Sequence, residues 1–205
     1  MVTTTAPATV FIVDDDQGVR DSLGNLIRSV GLAVELFPST EEFLARGERS
    51  RPGCLILDVR LPGRSGLDFQ DDLARANMAV PIVFISAHSD IPMSVRAMKA
   101  GAVEFMTKPV RPQDLLDAIH AAIARDRESL LHEEAVAKLT ATLSTLTTRE
   151  REVLDQIVTG LPNKLIAAAL GLSEVTIKMH RGSVMRKTGA KSVADLVRMV
   201  DRLVR

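Results

Sequence analysis

The sequence predicts an α/β domain built on a five-stranded parallel sheet, then a long helix, then a small all-α domain. Three observations predict it. Short apolar runs alternate with helical patterns over residues 1–125; residues 113–143 keep a helical pattern without a glycine or proline; and the residues beyond 145 have the spacing of a helix-turn-helix.

The strands come first. Short apolar runs at 9–13, 33–37, 54–57, 81–85 and 103–106 read as strands, since parallel strands covered on both faces show apolar runs rather than a strict alternation. Between them, segments such as 18–30 keep apolar residues at helical spacing, and Ser39 with Glu42 has the form of a capping box opening the second helix. Strands alternating with helices imply right-handed crossovers and a doubly wound sheet. After Pro112 the helix outlasts the domain: Leu116, Ile119, Ile123 and Leu130 share one face, then the register weakens, which leaves room for a flexible break over 141–144. Thr147 and Glu150 form a second capping box, for a helix that Gly160 ends and Pro162 separates from the next. In the following pair of helices Ala167 is small where they cross, Gly171 permits the turn, Ser173 caps the second helix and Ile177 packs inward. The expected boundaries are 1–125, a helical linker at 126–144, and 145–205.

Composition narrows the function. The chain is neutral overall, with 26 basic and 26 acidic residues, yet 15 basic and 20 acidic residues lie up to Thr140 against 11 and 6 after it, so the parts carry −5 and +5. The second part is therefore suited to a polyanion. No apolar run approaches the roughly 18 residues needed to span a bilayer, and the first residues lack the form of a signal peptide, so a cytoplasmic protein without a membrane partner is expected. Cys54 is the single cysteine and sits in an apolar run, which excludes an intramolecular disulfide and makes it a core residue.

In doubly wound sheets, ligands bind beyond the carboxyl ends of the strands. There the first strand delivers Asp14, Asp15 and Asp16, the third Asp58 and the fourth Ser86, while Lys108 and Pro109 follow the fifth. Asp16 reads as a helix cap. Gathering Asp14, Asp15 and Asp58 without a cation would raise their pKa values by repulsion, so the cluster calls for a hard divalent ion, Mg2+ or Mn2+. With that charge neutralised, Asp58 can attack a phosphoryl group whose oxygens Lys108 and Ser86 hold.

The strings "FIVDDD", "LILDVRLPGRSGLDF", "VFISAH" and "AMKAGAVEFMTKP" resemble the receiver domains of response regulators over roughly the first 125 residues. The resemblance implies a flavodoxin- or CheY-like fold. It also implies that Asp14, Asp15 and Asp58 with the backbone carbonyl of Arg60 bind the metal, and that Asp58 accepts phosphate from a sensor histidine kinase. Ser86 and Phe105 would be the switch pair, and Lys108-Pro109 a cis bond. Arg60 and His88 stand where family side chains tune hydrolysis of the phosphoryl group. Residues 146–204 resemble the four-helix DNA-binding domain of the LuxR, NarL and FixJ families, and the order of parts most resembles FixJ-type regulators. Lys178 and Met179 would lie nearest the bases, and Asn163, Lys164, Thr176 and Arg181 at the phosphate backbone. Gly182 departs from the basic residue some relatives carry there.

The implied function is a transcription regulator in which phosphorylation promotes a homodimer on double-stranded DNA, with RNA polymerase as a further partner and only slow self-hydrolysis in place of enzymatic turnover. Two alternatives share features of it. Metal-dependent phosphotransferases and haloacid-dehalogenase-like hydrolases also carry acids at strand ends, but those hydrolases place the nucleophile on the first strand in an Asp-x-Asp pattern that "DDDQGV" continues wrongly. A protein-docking or RNA-binding module would not need helix-turn-helix spacing.

Overall fold

The computed structural model describes residues 7–47, 52–87 and 90–204, except the side chains of Arg202 and Val204, and divides into two units, Met1–Leu131 and His132–Arg205. His88, expected to tune phosphoryl lifetime, lies outside the described residues.

In the first unit five parallel strands, β1 (Thr9–Val13), β2 (Ala33–Phe37), β3 (Gly53–Asp58), β4 (Ile82–Ser86) and β5 (Glu104–Thr107), are ordered β2-β1-β3-β4-β5. β1, β3 and β4 are buried along their whole length, which explains their unbroken apolar runs. Successive side chains point to opposite faces, and each face has its own helices. Val10, Ile12, Cys54, Ile56, Val83 and Ile85 pack on Ile27 of α1 (Gln17–Ser29) and on Leu115, Ile119 and Ile123 of α5 (Pro112–Ser144). Phe11, Val13, Leu55, Leu57 and Phe84 face the other way. They meet Phe43 of α2 (Thr40–Ala45), Leu67, Phe69 and Leu73 of α3 (Gly66–Arg75), and Ala97 of α4 (Ile91–Lys99). Each such Leu, Ile or Phe contributes about 1.5–3 kcal/mol by leaving water.

Local chemistry starts the helices at residues whose side chains can cap them. Asp16 accepts from the Val19 amide at 3.0 Å and Ser39 from Glu42 at 3.3 Å, each filling an otherwise empty first-turn donor. Lys108-Pro109 is cis. Deep in the unit, Asp126 of α5 accepts from the Gly53 amide at 2.8 Å, tying the helix to the start of β3, and an added Cβ at Gly53 would stand 2.3 Å from the Thr9 carbonyl oxygen.

One expectation is corrected. The break that the sequence leaves room for at 141–144 does not occur: α5 remains helical to Ser144, and the chain turns only at Thr145 and Leu146. No proline, glycine or mid-helix cap interrupts those residues, and Thr142 and Ser144 return their hydroxyls to carbonyls of the preceding turn. The weak apolar register showed a lack of a sustained packing face, which is a different property from a lack of helix.

In the second unit α6 (Thr148–Val158), α7 (Asn163–Leu170), α8 (Glu174–Thr188) and α9 (Val193–Val204) enclose a core of Val153, Leu154, Ile157, Ile166, Ile177, Val184 and Leu196. The Thr147–Glu150 capping box is complete in both directions. Gly171 ends α7 in the left-handed region, at φ 67°, and Ser173 then accepts from the Thr176 amide to start α8. Glu150 also reaches across to α8, where Lys187 donates to it at 2.6 Å and Ser183 adds a hydroxyl, pulling its carboxyl down to about 2. No helix among the described residues is long and apolar enough to cross a membrane.

Candidate phosphoryl and nucleic-acid sites

The strand order determines where chemistry can happen. From β1 the chain goes to one edge to make β2, then crosses back to make β3 on the other side, so crossovers part above the ends of β1 and β3 and leave a crevice. Asp14 and Asp15 leave β1 there and Asp58 ends β3. One carboxylate oxygen from each lies within 4.8 Å of the others.

Lys108, brought in from the end of β5, donates to Asp14 at 2.6 Å and to Asp58 at 3.2 Å. Asp14 is fully buried, and burial pushes its carboxyl above the ordinary 3.8, the Asp58 charge adding to this while Lys108 and the Asp16 amide oppose it. For Lys108 burial works against the charge, but its bonds to Asp14 and Asp58 outweigh it and the ammonium is held above its usual 10.5. The cluster is thus short of positive charge, which fits a divalent cation of oxygen preference: three convergent carboxylates, one of them exposed at Asp15 to admit it.

Asp58 is 7% exposed, its Oδ1 accepting from the Arg60 amide at 3.3 Å. The loop that follows closes as a short antiparallel bridge between Arg60 and Ser65, and the Gly66 amide returns to the Val59 carbonyl at 2.9 Å. Ser86 is fully buried at the end of β4, its carbonyl accepting from the Lys108 amide at 2.8 Å, so serine and lysine are placed by one backbone bond. Phe105 is half-buried on β5, its ring 6.1 Å from that of Phe84.

In the second unit the helix-turn-helix geometry brings the other expected residues to α7 and α8. Lys164, Lys178 and Met179 are exposed, and Asn163, Thr176 and Arg181 are half-buried. The Thr176 hydroxyl is engaged with that of Ser173 at 2.8 Å.

Residues 10–120 match the response regulator receiver domain, and residues 144–200 match the bacterial regulatory proteins of the luxR family. Nodulation protein W of Bradyrhizobium diazoefficiens is 53% identical over 196 residues, covering 96% of this chain and 86% of that protein. The transcriptional regulatory protein FixJ of Rhizobium meliloti is 43% identical over 195 residues, covering 93% and 94%. Among solved structures, the response regulator StyR superposes with a TM-score of 0.83 at 47% identity, covering 96% of this chain and all of that one. The chain belongs to the FixJ/NarL-type two-component response regulators. It joins a receiver domain to a LuxR-type DNA-binding domain.

Two residues of the regulator's receiver crevice were not singled out from sequence. Arg20, on the second turn of α1, donates through Nη1 to the Asp14 carbonyl at 2.6 Å and fixes the backbone that presents the acids. Gly66 lets the loop close over Asp58: a Cβ there would stand 2.3 Å from the Asp58 carbonyl oxygen. A cation within two helical turns of an acidic strand end was a usable signal for Arg20. Gly66 gave none, because its φ is ordinary and only the tertiary approach demands glycine.

Proposed function

We propose that the regulator is switched by phosphorylation of Asp58, with a sensor histidine kinase as phosphodonor, and that the phosphorylated form dimerises and binds specific duplex DNA to control transcription. The observation that carries this is the convergence of Asp14, Asp15, Asp58 and Lys108 at the crevice of a chain that also carries a LuxR-type domain. Asp14, Asp15 and Asp58, with the Arg60 backbone carbonyl, would hold Mg2+ or Mn2+. The ion, when bound, supplies charge neutralisation between carboxylate and phosphoryl group.

The chain's own groups do the rest. Asp58 is the nucleophile, its geometry fixed by the Arg60 amide. Lys108, already within 3.2 Å of Asp58, would pair with the incoming phosphoryl oxygens. Ser86 would approach them through its hydroxyl, and movement there would reach Phe105 along β4 and β5, changing the surface of α4 and β5 on which dimerisation is expected. Hydrolysis of the aspartyl phosphate is slow, so the receiver is a timed switch and no small phosphoester is turned over. In the second domain α8 enters the major groove with Lys178 and Met179 at base edges, while Asn163, Lys164, Thr176 and Arg181 contact phosphates. Contact with RNA polymerase would follow from binding near a promoter.

The test is binding to a panel of duplexes at fixed salt after treatment with acetyl phosphate and Mg2+, for wild type and Asp58→Asn, with intact mass reporting phosphorylation. Tightening in wild type alone is the expected result. Stoichiometric phosphorylation with unchanged affinity overturns the switch.

A further inference from the structure

The outward face of α8 has a composition the fold does not account for. Ile177, Val184 and Thr188 turn into the core. On the opposite side, Val175, Lys178, Met179, Gly182 and Arg186 follow one another at helical spacing and all are exposed. Val175 is 70% and Met179 67% exposed, large apolar side chains on adjacent turns of an otherwise polar surface. Single exposed hydrophobics need no explanation, but neighbours on one face of a binding helix do. Val175 makes no use of the core.

Gly182 continues the same face one turn on. Glycine weakens a helix interior relative to alanine, so its presence calls for a close approach or a special backbone angle. Neither exists within the fold: its φ is not positive, and a Cβ built there meets nothing within 4 Å. Nothing within the fold requires the side chain to be missing.

Resting on the reading that α8 is the recognition helix, we propose that Val175 and Met179 read the C5-methyl groups of thymines in the major groove, and that Gly182 is the notch that lets the helix backbone come close enough for them to do so. Thymine methyl is the apolar group on the floor of that groove, so it is the natural complement of an apolar pair there. Lys178, between them on the same face, is left for a polar base edge, and Arg186 at the far end for a phosphate. Val175 and Gly182 thereby become specificity residues.

The test uses the full chain, treated with acetyl phosphate and Mg2+. Sites are first selected from a random duplex library, and each thymine of the selected site is then replaced, one at a time, by deoxyuridine, which removes the methyl alone. At least one replacement should weaken wild-type binding about fourfold, the effect of losing one buried methyl-sized group at about 0.8 kcal/mol. That penalty should vanish in Val175→Ser or in Met179→Ala, whose side chains are exposed in the free domain. Gly182→Ala should raise the melting temperature of the second domain while weakening binding, opposite signs that a purely structural glycine could not give.

A selected site without thymine, deoxyuridine duplexes that bind like the thymine originals, or a methyl penalty unchanged in both Val175→Ser and Met179→Ala would each overturn the inference while leaving DNA recognition standing. Failure of any duplex to be enriched would instead overturn the recognition-helix reading, and this inference with it.

Discussion

Gly66 and Glu150 carry out opposite tasks at the residue scale, one by what it lacks and one by what it gathers. At Gly66 a methyl group would collide with the Asp58 carbonyl at 2.3 Å and crowd Leu57 at 3.2 Å, so the loop beside the phosphoacceptor candidate must shift. Gly66→Ala should lower the stability of the receiver domain by about 1–3 kcal/mol in urea titration, and slow labelling of Asp58 by acetyl phosphate. Glu150 gathers the Lys187 ammonium, the Ser183 hydroxyl and the Thr147 amide, and its carboxyl falls from the ordinary 4.5 to about 2. Because the folded value is depressed, its stabilising effect is full above pH 4.5 and is lost as the pH falls toward 2. Thermal melts of the second domain should therefore drop across that window, and Glu150→Gln should flatten the drop while lowering the melting temperature at neutral pH. A titration of Glu150 followed by NMR, with a midpoint near 4.5, would contradict this.

Elements were legible from sequence in proportion to how local their causes are. The strands lie within a residue of where the sequence puts them, β1, β3 and β4 because burial on both faces leaves an apolar signature, and the half-exposed β2 and β5 because their short apolar runs stand between helical patterns; the caps at Asp16, Thr147 and Ser173 are legible because a side chain bonds an amide three residues away. Asp14, Asp15, Asp58 and Lys108 were legible as a group because the parallel order dictates which residues end up on one rim. What was not legible depends on distant backbone: the Arg20 bond to the Asp14 carbonyl, the Gly66 approach, and Asp126 reaching Gly53 across 73 positions. The persistence of α5 through Ser144 was missed for another reason, since hydrophobic periodicity reports packing and says little about exposed helix. At this scale the reciprocal cap of α6 is the sharpest target. Thr147→Ala should cost about 1 kcal/mol in chemical denaturation of the second domain, and Thr147→Ser almost nothing.

For the whole molecule, neutrality conceals a division of charge: −5 up to Thr140, where three carboxylates converge that could hold a cation, and +5 beyond it, in the LuxR-type DNA-binding domain. Affinity for DNA should fall steeply with salt, and Lys164→Ala should weaken binding evenly across sequences while reducing the slope of log affinity against log salt by about one. A change confined to one sequence would move Lys164 from the backbone to the bases. The lone thiol of Cys54, fully buried on β3 in the first unit, has a practical consequence of its own. The native chain carries a built-in clock: a thiol reagent added in excess can label it only when that sheet opens, and the domain that reads DNA is silent to the same reagent. Labelling should thus time the opening of the receiver alone, without an engineered probe, and slow whenever a bound ligand or a phosphoryl group holds the sheet shut.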